Sequence, residues 1–380
     1  MTTFVIFAAL GSRHAFIMEQ TVARRPVHPF DHLQGTAARL ANLLPDAAHH
    51  RLAEWLKHPH THPDLDPAIR TLLAVRDWRG GKKAFSHDPV LARARFRREM
   101  LMIRPQPTSV GDVVDLMIDG AACPLAARLY RPAEALSPDQ PLPLLVFLHG
   151  GGYVVGDLDT HDEPCRLLCR FGRMLVLSVQ YRLAPEHPFP AAYEDTVAAL
   201  RFAKTHASTW SADPDRVAVG GDSAGGNLAA TAAANLAGTS DAPAAQLLIY
   251  AGIEFYMQTE SKQRYSDGLF LSHNDVRDAY LRYNPDERFA PTDPRLCPIY
   301  APSHANLAPA LVISAEHDVL RDEAEVYARK LRDAGTICMM RRVAGQAHGF
   351  INITAINRRA YQATVQMAVD FRLLLDGEVF

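Results

Sequence analysis

Between residues 142 and 343 short, almost wholly apolar runs alternate with longer stretches that carry helical periodicity. The runs Leu142–Leu148, Met174–Val179, Val217–Val219, Gln246–Tyr250, Ala310–Ser314 and Ile337–Val343 predict strands buried on both faces. Ahead of them, Val113–Ile118 and Leu125–Tyr130 read as two strands with Asp119-Gly120 in the turn region between them. The intervening stretches predict helices over Asp195–Lys204, the alanine-rich Asn227–Leu236, and Glu323–Ala334, which Gly335 closes. A last helix over Arg358–Leu375 sets Tyr361, Val365, Ala368, Phe371 and Leu375 along one stripe. This alternation argues an α/β fold with a mostly parallel sheet covered by helices on both faces. Residues 253–287 break the rhythm and read as an insertion at the carboxyl end of the sheet, where ligands bind in open α/β folds.

The first hundred or so residues differ. They hold nine of the 17 histidines, including His49, His50, His58, His60 and His62. Prolines interrupt them, and Arg93–Arg104 is basic with apolar residues between. Short helices are expected at Ala37–Leu44 and Ala68–Val75, and no strand alternation is visible. The division is therefore residues 1–108 as an N-terminal helical extension and 109–380 as the main α/β domain.

A formal net charge of −2 gives no indication of a nucleic-acid partner. The five cysteines cannot all pair and form no CxxC, which favours a reduced, cytoplasmic setting. The apolar start Phe4–Leu10 is too short to span a bilayer and has no basic region before it, and Met18 is a second candidate start. No stretch reads as a membrane span, and the oligomeric state is open, a homodimer included. The histidines at 58–62 alternate with Pro59 and Thr61 and fix no ligand geometry, so no metal site is expected there. Cys165 and Cys169, four apart on an expected helix, are read as buried packing.

Two segments carry chemistry. Gly221-Asp222-Ser223-Ala224-Gly225 follows a buried strand and opens a helix, the context of a nucleophile elbow. Serine is a poor nucleophile near neutral pH and needs both a base within reach and exposure on a sharp turn. Upstream, His149-Gly150-Gly151-Gly152 closes another apolar strand, and bare backbone N–H groups there can face the oxyanion of an attacked carbonyl. The expected donors are Gly151, Gly152 and Ala224, with His149 shaping the loop and Tyr153 a candidate pocket wall. In chain order the acid and then the base should follow the serine. Asp318 lies just past the run ending at Ser314 and is the chosen acid, with Glu316 and Asp322 as rivals. Asp322 and Glu323 suit the start of the next helix. His348 follows the run ending at Val343 and is the expected base.

These residues resemble the hormone-sensitive-lipase-like family of carboxylesterases, bacterial esterase family IV, over about Val113 to Phe371. The resemblance rests on Tyr181–Tyr193, Gly221–Asn227, Asp318–Glu323 and His348-Gly349-Phe350 as well as the three candidate residues. Val319 stands where the family's acid motif usually has proline. The resemblance implies an α/β-hydrolase fold and a cap built from the N-terminal region and the insertion after the sixth strand. It also implies short- to medium-chain acyl esters as small-molecule substrates, and no metal or organic cofactor. An amidase or lactonase with the same machinery is the near alternative. A non-catalytic small-molecule receptor would lack the histidine at 348. A metal-dependent hydrolase run by the N-terminal histidines would lose activity to a chelator.

Overall fold

Four helices come first in the computed structural model, which describes residues 29–57, 62–78, 88–133, 140–267 and 269–378. They are α1 (Pro29–Ala41), α2 (Asp46–Trp55), α3 (Pro67–Trp78) and α4 (Pro89–Ile103). His58, His60 and the apolar start with Met18 lie outside the described residues. The hairpin β1 (Asp112–Ile118) and β2 (Leu125–Arg131) follows, then β3 (Leu142–Leu148), α5 (Asp162–Gly172) and β4 (Leu175–Val179). Next come α6 (Ala191–His206), β5 (Ala212–Asp222), α7 (Ala224–Asn235) and β6 (Gln246–Ile249). The insertion carries α8 (Glu260–Arg264) and α9 (His273–Tyr283), and the chain ends with β7 (Ala310–His317), α10 (Arg321–Asp333), β8 (Cys338–Ala347) and α11 (Arg358–Leu375).

The eight strands form one sheet in the order β1-β2-β4-β3-β5-β6-β7-β8. Pairing is antiparallel for β1–β2 and β2–β4 and parallel from β4 to β8. Side chains on β3 alternate between two cores. Leu144, Val146 and Leu148 pack with residues of α6, α7 and α10 such as Leu200, Leu228 and Leu331. Leu145 and Phe147 pack on the other face with Leu168 of α5 and Phe371 of α11. A strand buried on both faces has no polar side, which is why its sequence reads as a continuous apolar run. Cys165 and Cys169 are buried in that second core, and burial pushes the Cys165 thiol well up, which keeps it protonated.

Two expectations need adjusting. The first helix begins at Pro29 and stops at Ala41, so Asn42 to Leu44 form a turn instead; Pro45 follows and disfavours helical backbone just before it. On α11 Ala368 and Phe371 are buried as expected, but Ala360, Thr364, Met367 and Leu374 complete the buried face in place of Val365, Leu375 and Tyr361, the last of which is exposed. Most of the basic stretch Arg93–Arg104, for which the sequence pattern predicts no element, is helix α4. Asp88 caps it, accepting from the N–H groups of Val90 and Leu91, and Pro89 follows at the first helical position. Among the described residues no helix is long and apolar enough to cross a membrane.

Candidate active site

The turn from β5 into α7 holds Ser223 at φ 55°, ψ −118°, a left-handed φ that a serine adopts only when its surroundings impose it. The imposing contact is close packing of the turn against the end of β3. A Cβ at position 225 would overlap the carbonyl oxygen of Leu148, so only glycine lets the strand ends and the helix start meet. The fold thus brings the serine turn and the glycine loop after β3 side by side.

Ser223 Oγ lies 2.9 Å from His348 Nε2, and His348 Nδ1 lies 2.8 Å from Asp318 Oδ2. Asp318 is buried at the end of β7, and its other oxygen accepts the Leu320 N–H at 2.9 Å. With the carboxylate on Nδ1, the ring keeps its proton there and turns an accepting Nε2 toward the hydroxyl. His348 sits in the loop after β8, its ring centroid 4.7 Å from that of Tyr250. The two rival acids are engaged elsewhere. Glu316 accepts the Gly345 N–H at 2.7 Å, and Asp322 accepts from the Ser261 N–H and from Arg321 Nε, both at 2.8 Å.

Gly151 has φ 122° and Gly152 φ 59°. The Gly151 carbonyl accepts the N–H groups of Val154 and Val155, both at 3.0 Å, which closes the loop into a tight turn. Among the described residues no protein acceptor takes the N–H of Gly151 or Gly152. The Ala224 N–H belongs to the first turn of α7, where backbone donors have no partner inside the helix. Gly151, Gly152 and Ala224 border the same cavity as Ser223 and His348.

His149 does not border that cavity. It is fully buried, stacked on Tyr181 at 4.4 Å, and its Nδ1 donates to the Gly150 carbonyl at 2.8 Å. Burial, with His161 nearby, lowers its pKa to about 4, so the ring is neutral at physiological pH. The ring acts as packing for the loop.

Sequence reasoning passed over Asp222. Its Oδ1 accepts the Gly150 N–H at 2.7 Å and lies 3.3 Å from His161 Nε2, while Oδ2 accepts from the Tyr250 hydroxyl at 3.3 Å. Burial alone would raise the carboxyl pKa, but His161 and the Gly150 N–H bring it below its ordinary value. This carboxylate ties the glycine loop to the serine turn. Glu323 does more than begin a helix. It does open α10, yet it is buried, accepts the Ile253 N–H at 2.7 Å and pairs with buried Lys262 at 2.7 Å. That pair fastens the insertion beside the loop that carries Asp318.

The cavity has a volume of about 670 Å³. Its walls come from Leu72 and Val75 of α3, Phe96, Met100 and Ile103 of α4, Phe255, Phe270 and Val276 of the insertion, and Ile353 and Ile356. Tyr153 is a wall residue, its ring stacked on Tyr283 with centroids 3.8 Å apart. The site thus offers a hydroxyl bonded to an imidazole, a carboxylate behind that imidazole, a loop with uncommitted N–H groups, and an apolar chamber above. Such a set suits acyl transfer.

The sheet order, the serine turn and the loops after β7 and β8 define an α/β-hydrolase. Residues 145–352 match the family described as alpha/beta hydrolase fold, and the chain belongs to it. The carboxylic ester hydrolase LipN of Mycobacterium tuberculosis is 44% identical over 296 residues, covering 76% of this chain and 77% of that protein. Ethyl acetate hydrolase of Pseudomonas putida is 35% identical, covering 80% of this chain and 96% of that protein. Among solved structures, ester-hydrolase EH1AB1 from the metagenome of Lake Arreo, complexed with a bipyridine phosphonate derivative, superposes with a TM-score of 0.77. It is 34% identical and covers 81% of this chain and 98% of that one. Within the α/β-hydrolases the chain is a carboxylic ester hydrolase of the hormone-sensitive-lipase-like family.

Proposed function

We propose that the enzyme cleaves short- to medium-chain acyl esters through Ser223, His348 and Asp318. Ser223 Oγ attacks the ester carbonyl carbon while His348 Nε2 takes its proton. The carbonyl oxygen gains the negative charge and is held by the N–H groups of Gly151, Gly152 and Ala224. The imidazolium, steadied by Asp318, then donates its proton to the leaving alkoxide, and the C–O bond breaks to leave an acyl-enzyme. Water attacks that ester in turn, giving its proton to the same imidazole, and the carboxylic acid departs as Ser223 is reprotonated.

One observation carries this reading: the unbroken hydrogen-bonded line from Asp318 through His348 to Ser223, opening into an apolar cavity. The helices α1–α4 and the insertion 253–287 are proposed as the cap, because α3, α4 and the insertion all contribute walls to that cavity. Cytoplasmic placement is part of the same proposal, supported by the five free cysteines.

A series of p-nitrophenyl esters from acetyl to palmitoyl tests it. Wild type is expected to show its highest kcat/KM with an acyl group no longer than octanoyl, and Ser223→Ala to lose turnover across the series. A maximum at palmitoyl contradicts the chain-length assignment, and substantial turnover in Ser223→Ala contradicts the mechanism.

A further inference from the structure

We propose that Arg93, on α4 of the N-terminal region, is a positioning residue that holds the glycine loop at its working distance from Ser223. The inference rests on the oxyanion role given to that loop above. Arg93 does not border the cavity, so it has no route to substrate; it acts through backbone.

The turn that follows Gly151 is braced from outside at two successive carbonyls. The Tyr153 carbonyl accepts the Ala184 N–H at 2.9 Å, and the Val154 carbonyl accepts Arg93 Nε at 2.8 Å. The same guanidinium reaches the bracing segment too, donating from Nη2 to the Ala184 carbonyl at 2.8 Å. One rigid plane therefore spans the loop and the strut behind it. Glu186 fixes the plane from the other side, accepting from Nη1 at 2.8 Å and from Nη2 at 2.6 Å. Its hydrogen bonds from Arg93 lead the causes that hold its carboxyl at about 2, so Glu186 stays a carboxylate throughout the neutral range. One helical turn on, Arg97 pairs with Asp157 and Asp159, which fixes α4 over the residues just past the loop.

This arrangement gives the N-terminal helix a second role besides walling the cavity. Oxyanion donors work only at the right distance from the developing charge, and a displacement of about 1 Å can cost on the order of 100-fold in rate. A lysine at position 93 keeps the charge and three donors but lacks the planar fork that meets the Val154 and Ala184 carbonyls and Glu186 together.

The test uses full-length Arg93→Met, Arg93→Lys, Glu186→Gln and Ser223→Ala, each assayed with an ester that wild type turns over. Arg93→Met is expected to lower kcat about 10- to 100-fold with KM little changed. Its affinity for a trifluoromethyl ketone analogue of the tetrahedral state should fall by the same factor, while affinity for the product acid holds. Arg93→Lys should recover part of kcat, and Glu186→Gln, which keeps both carbonyl contacts, should show a smaller loss of the same kind. If Arg93→Met does not fold, the matched losses of kcat and analogue affinity in Arg93→Lys carry the test. Unchanged kcat, or a loss confined to KM or Tm, overturns the role of Arg93. An inactive Ser223→Ala beside a fully active Arg93→Met refutes Arg93 alone, whereas an active Ser223→Ala removes the serine mechanism on which this inference stands.

Discussion

Replacing His348 with alanine is expected to lower kcat by about 10⁴–10⁶-fold while KM for a small ester stays close to wild type. The reason lies in the 2.9 Å contact between Nε2 and Ser223 Oγ. Without the ring, the hydroxyl must attack while still carrying its proton, and the departing alkoxide has no acid beside it. The walls that hold substrate come from α3, α4 and the insertion and remain in place. Binding and chemistry should therefore separate in the kinetics. Residual turnover is expected to exceed the uncatalysed rate by roughly 10³-fold, because the glycine loop and the cavity still act. Ser223→Ala/His348→Ala should then be little worse than either single variant, since the two groups act as a unit. Steady-state kinetics on all three variants, with circular dichroism to confirm the fold, checks this; a loss below tenfold in His348→Ala contradicts it.

The second large effect is expected at Asp318. Asp318→Asn keeps shape and burial but puts an amide against Nδ1, and its N–H group favours the tautomer that protonates Nε2. That tautomer points a donor, not an acceptor, at Ser223. A fall in kcat of about 10³–10⁴-fold is expected, again with KM little moved. Glu316→Gln is the control. Glu316 accepts the Gly345 N–H in the strand leading to His348, so its loss should cost no more than about tenfold through loop placement. Measured side by side, the reverse ranking would move the acid from Asp318 to Glu316.

What could be read from the chain beforehand follows from how each element is stabilised. Strands β3 to β7 were legible because burial on both faces removes polar residues from the pattern. The serine turn was legible because close approach to Leu148 demands glycine at fixed offsets. Helix α4 was not recognised, although Asp88-Pro89 marked its start. Its inward face carries Arg93 and Arg97, whose partners are carbonyls and carboxylates of distant loops, so the apolar periodicity that reveals a helix is interrupted where it packs. Helix α9 hid inside the insertion in a similar way, though Ser272 and Asp275 form a capping box that could have announced it. Asp222 was out of reach for a different reason. Its partner is a backbone N–H 72 residues away, and a pairing made only in three dimensions leaves no local mark. Glu323 was placed correctly at a helix start, yet its burial against Lys262 depends on an insertion whose path the sequence did not reveal.

In the proposed mechanism one serine hydroxyl, activated by His348, becomes covalently bound to substrate acyl groups. Treating the enzyme with a reactive alkyl phosphonate and mapping the adduct by peptide mass spectrometry tests this most directly. One phosphonyl group per chain is expected, carried on Ser223, with activity lost in step with labelling and no adduct in Ser223→Ala. A fully labelled Ser223 with undiminished ester hydrolysis, or activity lost through an adduct at another residue while Ser223 stays free, would contradict it.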